Sequence, residues 1–154
     1  MSRWATGSDD VEALLKAGDL EQVAPSLTNA ERLLVEAQRH LQSASALGQA
    51  DPPGAYDMLY SAARKAMSAA LAVQGLRATS QGGHLAVQEA VIAQLGQSGQ
   101  VVRPFGRLRR TRNEADYPKL DTPELTSDNV DEDLPRARAI VDAMTRLIPH
   151  LAAW

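Results

Sequence analysis

The feature that most constrains the fold is a stripe of apolar residues, spaced three or four positions apart, between residues 56 and 73. Its members are Tyr56, Leu59, Tyr60, Ala63, Met67, Ala70 and Val73. This spacing places the side chains on one face of an α-helix. Because alanine is small, another helix can approach the stripe closely. The segment therefore predicts a long helix, bounded by the turn at 51–54 and by Gly75, that packs against other helices.

The rest of the chain has the same helical spacing in five further segments and no alternation typical of a strand. The expected helices cover residues 11–18, 28–48, 84–95, about 104–116 and 130–154. The second of these begins at Thr28 with a capping-box pattern, and the last runs from Val130 to Trp154. Pro135 predicts a kink in the last helix or a start near the proline. We expect an all-α antiparallel bundle of four to five main helices plus a short N-terminal helix. Residues 28–154 form this bundle and 1–27 an N-terminal helical appendage, within one compact domain.

Composition excludes several classes of protein. The 154 residues include no cysteine, which rules out disulfide frameworks, thiolate nucleophiles and cysteine-ligated zinc. No stretch approaches the roughly 20 apolar residues of a membrane span, and the first residues lack the apolar core of a signal peptide. We therefore expect a cytoplasmic protein that does not enter a membrane.

Charge is unevenly distributed, although the net charge is only −3. Five arginines lie between 103 and 112, and eight acidic residues follow between 114 and 133. Arg107, Arg109 and Arg110 belong either to a solvated helix face or to a surface that binds nucleic acid. Few aromatic residues lie among them, so the nucleic-acid signal is weak.

Arg112 is the candidate that the helical pattern singles out. On a helical wheel it shares one face with Phe105, Leu108 and Ala115, so it is expected to point inward. An inward arginine is costly unless it is paired, opens into a cleft or faces a partner subunit. Asp116, four residues later, offers the simple ion pair.

Tyr117 precedes Pro118, and a residue before proline disfavours the α conformation. The helix is therefore expected to end there. In an ideal helix Arg112 and Tyr117 would point about 140° apart, so they could share a ligand only through distortion of the helix end.

The remaining candidates have simpler interpretations. His84, after two glycines at a helix start, is a secondary candidate for a pocket, with capping or packing as the alternative. Tyr56 and Tyr60 fit core packing. His40 and His150 have no companions at metal-ligand spacing, and the acidic cluster at 128–133 lacks the pattern of a calcium loop. We predict no metal and no cofactor.

Four blocks together resemble a HEPN domain, named for higher eukaryote and prokaryote nucleotide-binding proteins. They are YDMLYSAARKA at 56–66, QGLR at 74–77, GGH at 82–84 and LRRTRNEADY at 108–117. The resemblance spans about 28–150 and implies a bundle of four or five helices that often dimerises. Active members are metal-independent ribonucleases with an arginine, commonly a polar residue next, and a histidine after four to six intervening positions. Many relatives pair with a minimal nucleotidyltransferase as toxin and antitoxin.

Arg112 and Asn113 match the start of this pattern, but Tyr117 stands where the nuclease members have histidine. Histidine, with a pKa near 6.5, exchanges protons at neutral pH, whereas tyrosine, with a pKa near 10, mainly donates a hydrogen bond. Whether the chain is a ribonuclease therefore stays open. The leading hypothesis is a homodimeric HEPN-like domain that binds RNA or a nucleotide phosphate through Arg112, Asn113 and Tyr117. The alternative is a catalytically silent dimeric interaction or regulatory module, with Arg112 paired to an acid.

Overall fold

The computed structural model describes residues 2–154 and confirms the all-α bundle. Its helices are α1 (Ser8–Ala17), α2 (Leu27–Leu47), α3 (Pro52–Gln74), α4 (Gly83–Leu95), α5 (Phe105–Asp116) and α6 (Ser127–Leu147). Two short strands are β1 (Leu20–Gln22) and β2 (Leu76–Ala78), and 3₁₀ turns cover Gly96–Val101 and Ile148–His150. Within the described range no helix is both long enough and apolar enough to cross a bilayer.

Helix α3 is the centre of the bundle and contacts α2, α4, α5 and α6. A short loop joins α2 to α3, and these two helices form the most extensive helix pair. The α3 surface is rich in alanines with no solvent exposure: Ala55, Ala62, Ala63, Ala66 and Ala69. Their small side chains let neighbouring helices pack close to the α3 backbone from several sides. The predicted apolar stripe is thus confirmed as the core of the molecule.

Three helix ends differ from the sequence predictions. α2 begins at Leu27 and is capped by Ser26, whose hydroxyl accepts a 3.0 Å hydrogen bond from the Asn29 amide. A start at Thr28 was therefore wrong, because the extended Ser26 already satisfies the first turn. α6 begins at Ser127, so no helix starts near Pro135, which lies inside it. α6 also ends at Leu147 rather than at the C-terminus, and the 3₁₀ turn Ile148–His150 follows it, because Pro149 has no amide hydrogen with which to continue the α-helical hydrogen bonds.

The two strands were not predicted, because three residues are too few to show alternation. They pair antiparallel with Leu20 opposite Ala78. The pairing joins the N-terminal segment to the chain after α3. α1 packs on α4 through the fully buried Val11, and the Trp4 indole donates to the Gln94 carbonyl at 2.8 Å. Residues before α2 therefore contribute to the same core as the bundle.

A buried carboxylate connects three helices. Asp133 of α6 is 1% exposed and accepts a 2.7 Å hydrogen bond from the Tyr56 hydroxyl of α3. Arg136 donates to the same carboxylate at 2.7 Å, and Arg107 of α5 lies 3.5 Å from it. Burial and the bond to Asp133 raise the pKa of Tyr56, so its hydroxyl stays protonated and can donate. This network fixes α5 relative to α3 and α6.

We predict that Asp133→Ala lowers the free energy of unfolding by about 3–5 kcal/mol, because it leaves buried donors without their partner. Urea denaturation followed by circular dichroism measures the loss. Asp131→Ala, on the exposed side of the same helix, is the matched control and should change stability by less than about 0.5 kcal/mol. Equal effects of the two substitutions would contradict the structural role of Asp133.

Candidate functional site

Helix α5 presents Arg109 and Arg112 one turn apart, and Asn113 follows. The helix is anchored by Phe105 and Leu108, which have no solvent exposure. The Arg112 side chain is 32% exposed, and its guanidinium carbon lies 5.2 Å from the centre of the Tyr60 ring of α3. The predicted inward direction of Arg112 is therefore confirmed, with the guanidinium held over an aromatic face.

Two carboxylates flank Arg112. Its Nε lies 3.1 Å from Asp116 Oδ2 and 3.5 Å from Asp57 Oδ1, and its Nη1 donates to Asn113 Oδ1 at 3.2 Å. Neither carboxylate lies in line with the Nε–H bond, so that group makes no hydrogen bond. Burial and the neighbouring Asp116 charge raise the pKa of Asp57, while Arg112 opposes the rise. The ion pair anticipated with Asp116 is present, and Asp57 adds a second one from α3.

His84 reaches the same region from the start of α4. The preceding turn is tight: a Cβ on Gly82 would collide with the Asp19 carbonyl, and Gly83 has φ of 55°. Thus glycine is required at 82 by close approach and favoured at 83 by the backbone angle. The half-buried His84 imidazole is hydrogen-bonded through Nδ1 to the Tyr60 hydroxyl. His84 makes no capping hydrogen bond at the start of α4, where the Gly82 amide instead donates to the Thr79 hydroxyl at 3.2 Å.

Tyr60 and His84 share a hydrogen bond whose direction depends on the His84 tautomer. Burial raises the pKa of Tyr60, so its hydroxyl stays protonated. Burial, followed by the positive charges of Arg64, Arg112 and Arg109, lowers the pKa of His84. The imidazole is therefore neutral at pH 7. One of its ring nitrogens carries a proton and the other is an acceptor; the bond to Tyr60 takes up Nδ1, and Nε2 has no partner among residues 2–154.

A cleft of about 350 Å³ lies between α4 and α5. Its walls include Gly83, His84, Arg109 and Asn113. The Nε atoms of Arg109 and Arg112 are buried and make no hydrogen bond among residues 2–154, although Asp116 Oδ2 lies 3.1 Å from that of Arg112. Of the two arginines, only Arg109 lines the cleft. Buried polar atoms in folded proteins nearly always have a partner. Unmatched arginine donors beside a cleft suit an anion with several oxygens, such as a phosphate.

The other sequence candidates lie outside this cleft. Tyr117 ends α5, is 79% exposed and lines a separate depression with Glu114 and Lys119. It shares no cavity with Arg112, so the helix end does not distort enough to bring the two together. Arg107 is engaged by Glu132 at 2.9 Å and belongs to the network around Asp133. Arg110 is exposed and does not line the cleft.

Three contributors from α3 were missed by sequence reasoning: Asp57, Tyr60 and Arg64. Tyr60 was assigned to the core, which its 1% exposure confirms, but the role of its hydroxyl was not foreseen. The three residues follow one another at spacings of three and four, so they share one side of α3. In the sequence, the charged Asp57 and Arg64 at helical spacing around Tyr60 were the pattern that could have indicated a polar site on this side of α3.

A model of a known family matches most of the chain. It is described as the HEPN domain and matches residues 30–147. The chain belongs to the HEPN family. No curated protein and no solved structure gives a significant match.

Within this HEPN domain, the matched region contains the whole cleft. Arg112 and Asn113 are the residues that resemble the start of the family's nuclease pattern, and the imidazole beside them is His84, from α4 rather than from the end of α5. Tyr117 occupies the position expected for histidine but faces away into its own depression. The polar groups of the cleft are therefore contributed by helices distant in sequence.

We predict that Arg109→Gln raises the pKa of His84, because it removes one of the positive charges that disfavour the imidazolium. NMR titration of the imidazole signals measures this, with His84→Gln assigning the resonance. His40 is an internal control: burial and Lys65 lower its pKa, and Arg109 is not among the causes.

The lowered pKa of His84 also means that the free energy of unfolding decreases as pH falls below about 6.5, because the unfolded chain binds a proton there before the folded one does. A wild-type His84 pKa at or above 6.5 would contradict this electrostatic description.

Proposed function

We propose that this HEPN domain binds a phosphate group of RNA or of a nucleotide in the cleft between α4 and α5. The observation that carries the proposal is Arg109, which lines the cleft, forms no ion pair among residues 2–154 and has a buried Nε–H group without a hydrogen bond. Guanidinium groups form short, charge-assisted hydrogen bonds with phosphate oxygens. A ligand in the cleft that supplies such oxygens would bind Arg109, and Arg112, one turn further along α5, adds positive charge behind it.

The neighbouring groups add further donors. Asn113 Oδ1 already accepts from Arg112, so the Asn113 amide nitrogen is free to donate. The Nε2 of His84 has no partner in the described chain and is available to a ligand, as a donor in the tautomer that carries its proton there. Arg64 adds positive charge from α3. A cleft surrounded by donors and positive charge favours an anion over a neutral or cationic ligand.

The same features support binding more strongly than cleavage. Cleavage of RNA by its own 2′-hydroxyl requires a group that accepts the hydroxyl proton. Tyr117 lies in a different depression, and Nδ1 of His84 is taken up by its hydrogen bond with the Tyr60 hydroxyl. We therefore place Arg109, Arg112, Asn113 and His84 in phosphate binding and assign no base. The alternative of a silent regulatory module rests on the ion pairs of Arg112 with Asp57 and Asp116.

Assembly is part of the proposal at the level of the family. HEPN domains often dimerise, and Leu27 and Val35 of α2 are 57% and 51% exposed, which supports a homodimer through an apolar contact. Pairing with a minimal nucleotidyltransferase rests on family membership alone. A gene for such a protein beside this one would support a toxin and antitoxin pair, and its absence would count against it.

The test compares wild type with Arg112→Ala and Arg109→Ala in binding a fluorescent single-stranded RNA, measured by anisotropy at several salt concentrations. Each substitution should weaken binding about ten- to hundredfold, the value of a charge-assisted hydrogen bond. It should also reduce the slope of log affinity against log salt by about 0.7 per lost phosphate contact. Gel analysis of the RNA in EDTA reports cleavage in the same samples.

Arg146→Ala is the matched control, since Arg146 is an exposed arginine in the last turn of α6, outside the cleft. It should leave affinity within about twofold. Tyr117→Phe should also bind RNA like wild type. Equal RNA affinities of wild type, Arg112→Ala and Arg109→Ala would overturn the proposal. Metal-free cleavage lost in Arg112→Ala would restore the nuclease hypothesis.

A further inference from the structure

A larger cavity, separate from the phosphate cleft, lies between α2, α3, β2 and α4. Its volume is about 750 Å³, which is in the range of small-molecule sites. Its apolar lining comes from every one of these elements: Leu33 of α2, Leu71 of α3, Leu76 of β2 and Val87 of α4. Residues outside the bundle, at the end of β1, complete the wall. The cavity is thus framed by packed elements rather than by one exposed helix face.

One boundary of this cavity is cationic. Gly83 and His84 line both the cavity and the cleft, so the two spaces meet there. Arg64 also lines the cavity, and after burial its positive charge contributes most to lowering the pKa of His84. Among residues 2–154 Arg64 forms no ion pair. The other lining arginine, Arg77, is engaged by Glu21 at 2.8 Å.

The side chains indicate the kind of ligand. Aliphatic walls stabilise an alkyl chain by removing it from water. None of the lining residues is aromatic except His84, so a nucleobase would have no wide ring on which to stack. An unpaired arginine at a partly buried position favours an anionic head group. The lining therefore combines aliphatic side chains and one unpaired positive charge with five uncharged polar side chains, which are Ser26, Asn29, Ser68, Thr79 and Ser80.

We propose that this cavity binds a small aliphatic anion, a carboxylate or a phosphate monoester, with its head group at Arg64 and its alkyl chain between α2, α3 and α4. The site differs from the proposed phosphate cleft in ligand and in most of its residues. Its ligand requires no RNA and no metal. Because His84 borders both spaces, the bound head group also brings negative charge beside the imidazole and raises the pKa of His84.

The first experiment uses isothermal titration calorimetry on the full chain to measure the binding of butanoate, hexanoate and octanoate. A comparison of hexanoate with hexyl phosphate tests which head group binds more tightly. Affinity should rise about fourfold per added methylene, the effect of moving a CH₂ out of water. Octanol, with the same chain length as octanoate and no charge, should bind at least tenfold more weakly. Octanol binding as tightly as octanoate would overturn the ionic part of the proposal.

Two variants test the position of the ligand. Arg64→Gln should weaken octanoate about ten- to hundredfold, and the control Arg146→Gln should not change it. Ala72→Leu, whose side chain would extend into the cavity that Ala72 lines, should abolish the dependence on chain length. Thermal melts verify that both variants are folded. Octanoate binding unchanged in Ala72→Leu would overturn the proposal even if Arg64→Gln failed to fold.

Further experiments distinguish binding in this cavity from binding in the phosphate cleft. RNA binding should be unaffected by Ala72→Leu. If wild type binds RNA but not octanoate, the cavity proposal fails; if it binds octanoate but not RNA, the phosphate-cleft proposal fails. AMP binding that competes with octanoate and is lost in Ala72→Leu would show that the cavity takes a nucleotide instead, which would overturn the aliphatic assignment. No binding of any probe at millimolar concentration would overturn it as well.

Discussion

The close packing of helices around the alanine face of α3 is the constraint on which the structure depends. Because residues such as Ala62, Ala63 and Ala66 have no solvent exposure, α3 is covered by neighbours along most of its length. Larger side chains at these positions would force the helices apart, and tightly packed interiors tolerate such changes poorly. The same helix supplies Asp57, Tyr60 and Arg64 to the candidate site. Core packing and site geometry are therefore set by one helix, and Tyr60 takes part in both.

Polar groups that are buried in this bundle serve to fix helix positions. Asp133 connects α6 to Tyr56 of α3 and draws Arg107 of α5 toward it. Gln74 and Gln94 exchange two hydrogen bonds, at 2.6 and 3.0 Å, between α3 and α4. Since an unsatisfied buried polar group is costly, these matched pairs favour one arrangement of the helices over alternatives. The arrangement they favour is the one that brings the start of α4 against the middle of α5.

The phosphate cleft depends on a balance of charge rather than on one residue. Asp57 and Asp116 hold Arg112 in place but do not complete its hydrogen bonding, and Arg109 has no acidic partner among residues 2–154. Burial, together with the surplus positive charge, lowers the pKa of His84. A neutral imidazole held by its hydrogen bond to Tyr60 leaves Nε2 for a ligand without adding further repulsion. The proposed function follows from this combination of donors, with the family assignment as independent support.

Sequence alone determined the helices of this protein and the direction of Arg112. Helical spacing is a local property, so the long helices, the end of α5 before Pro118 and the arginine on the apolar face were all readable from neighbouring residues. The HEPN blocks gave the family, which the match over 30–147 established. Tertiary structure alone decided the partners: His84 approaches Arg109 and Asn113 across 25 or more positions of sequence, and Tyr117, only five positions from Arg112, does not join it. The physical reason is that spacing along a helix fixes which way a side chain points, while the packing between helices fixes what it meets.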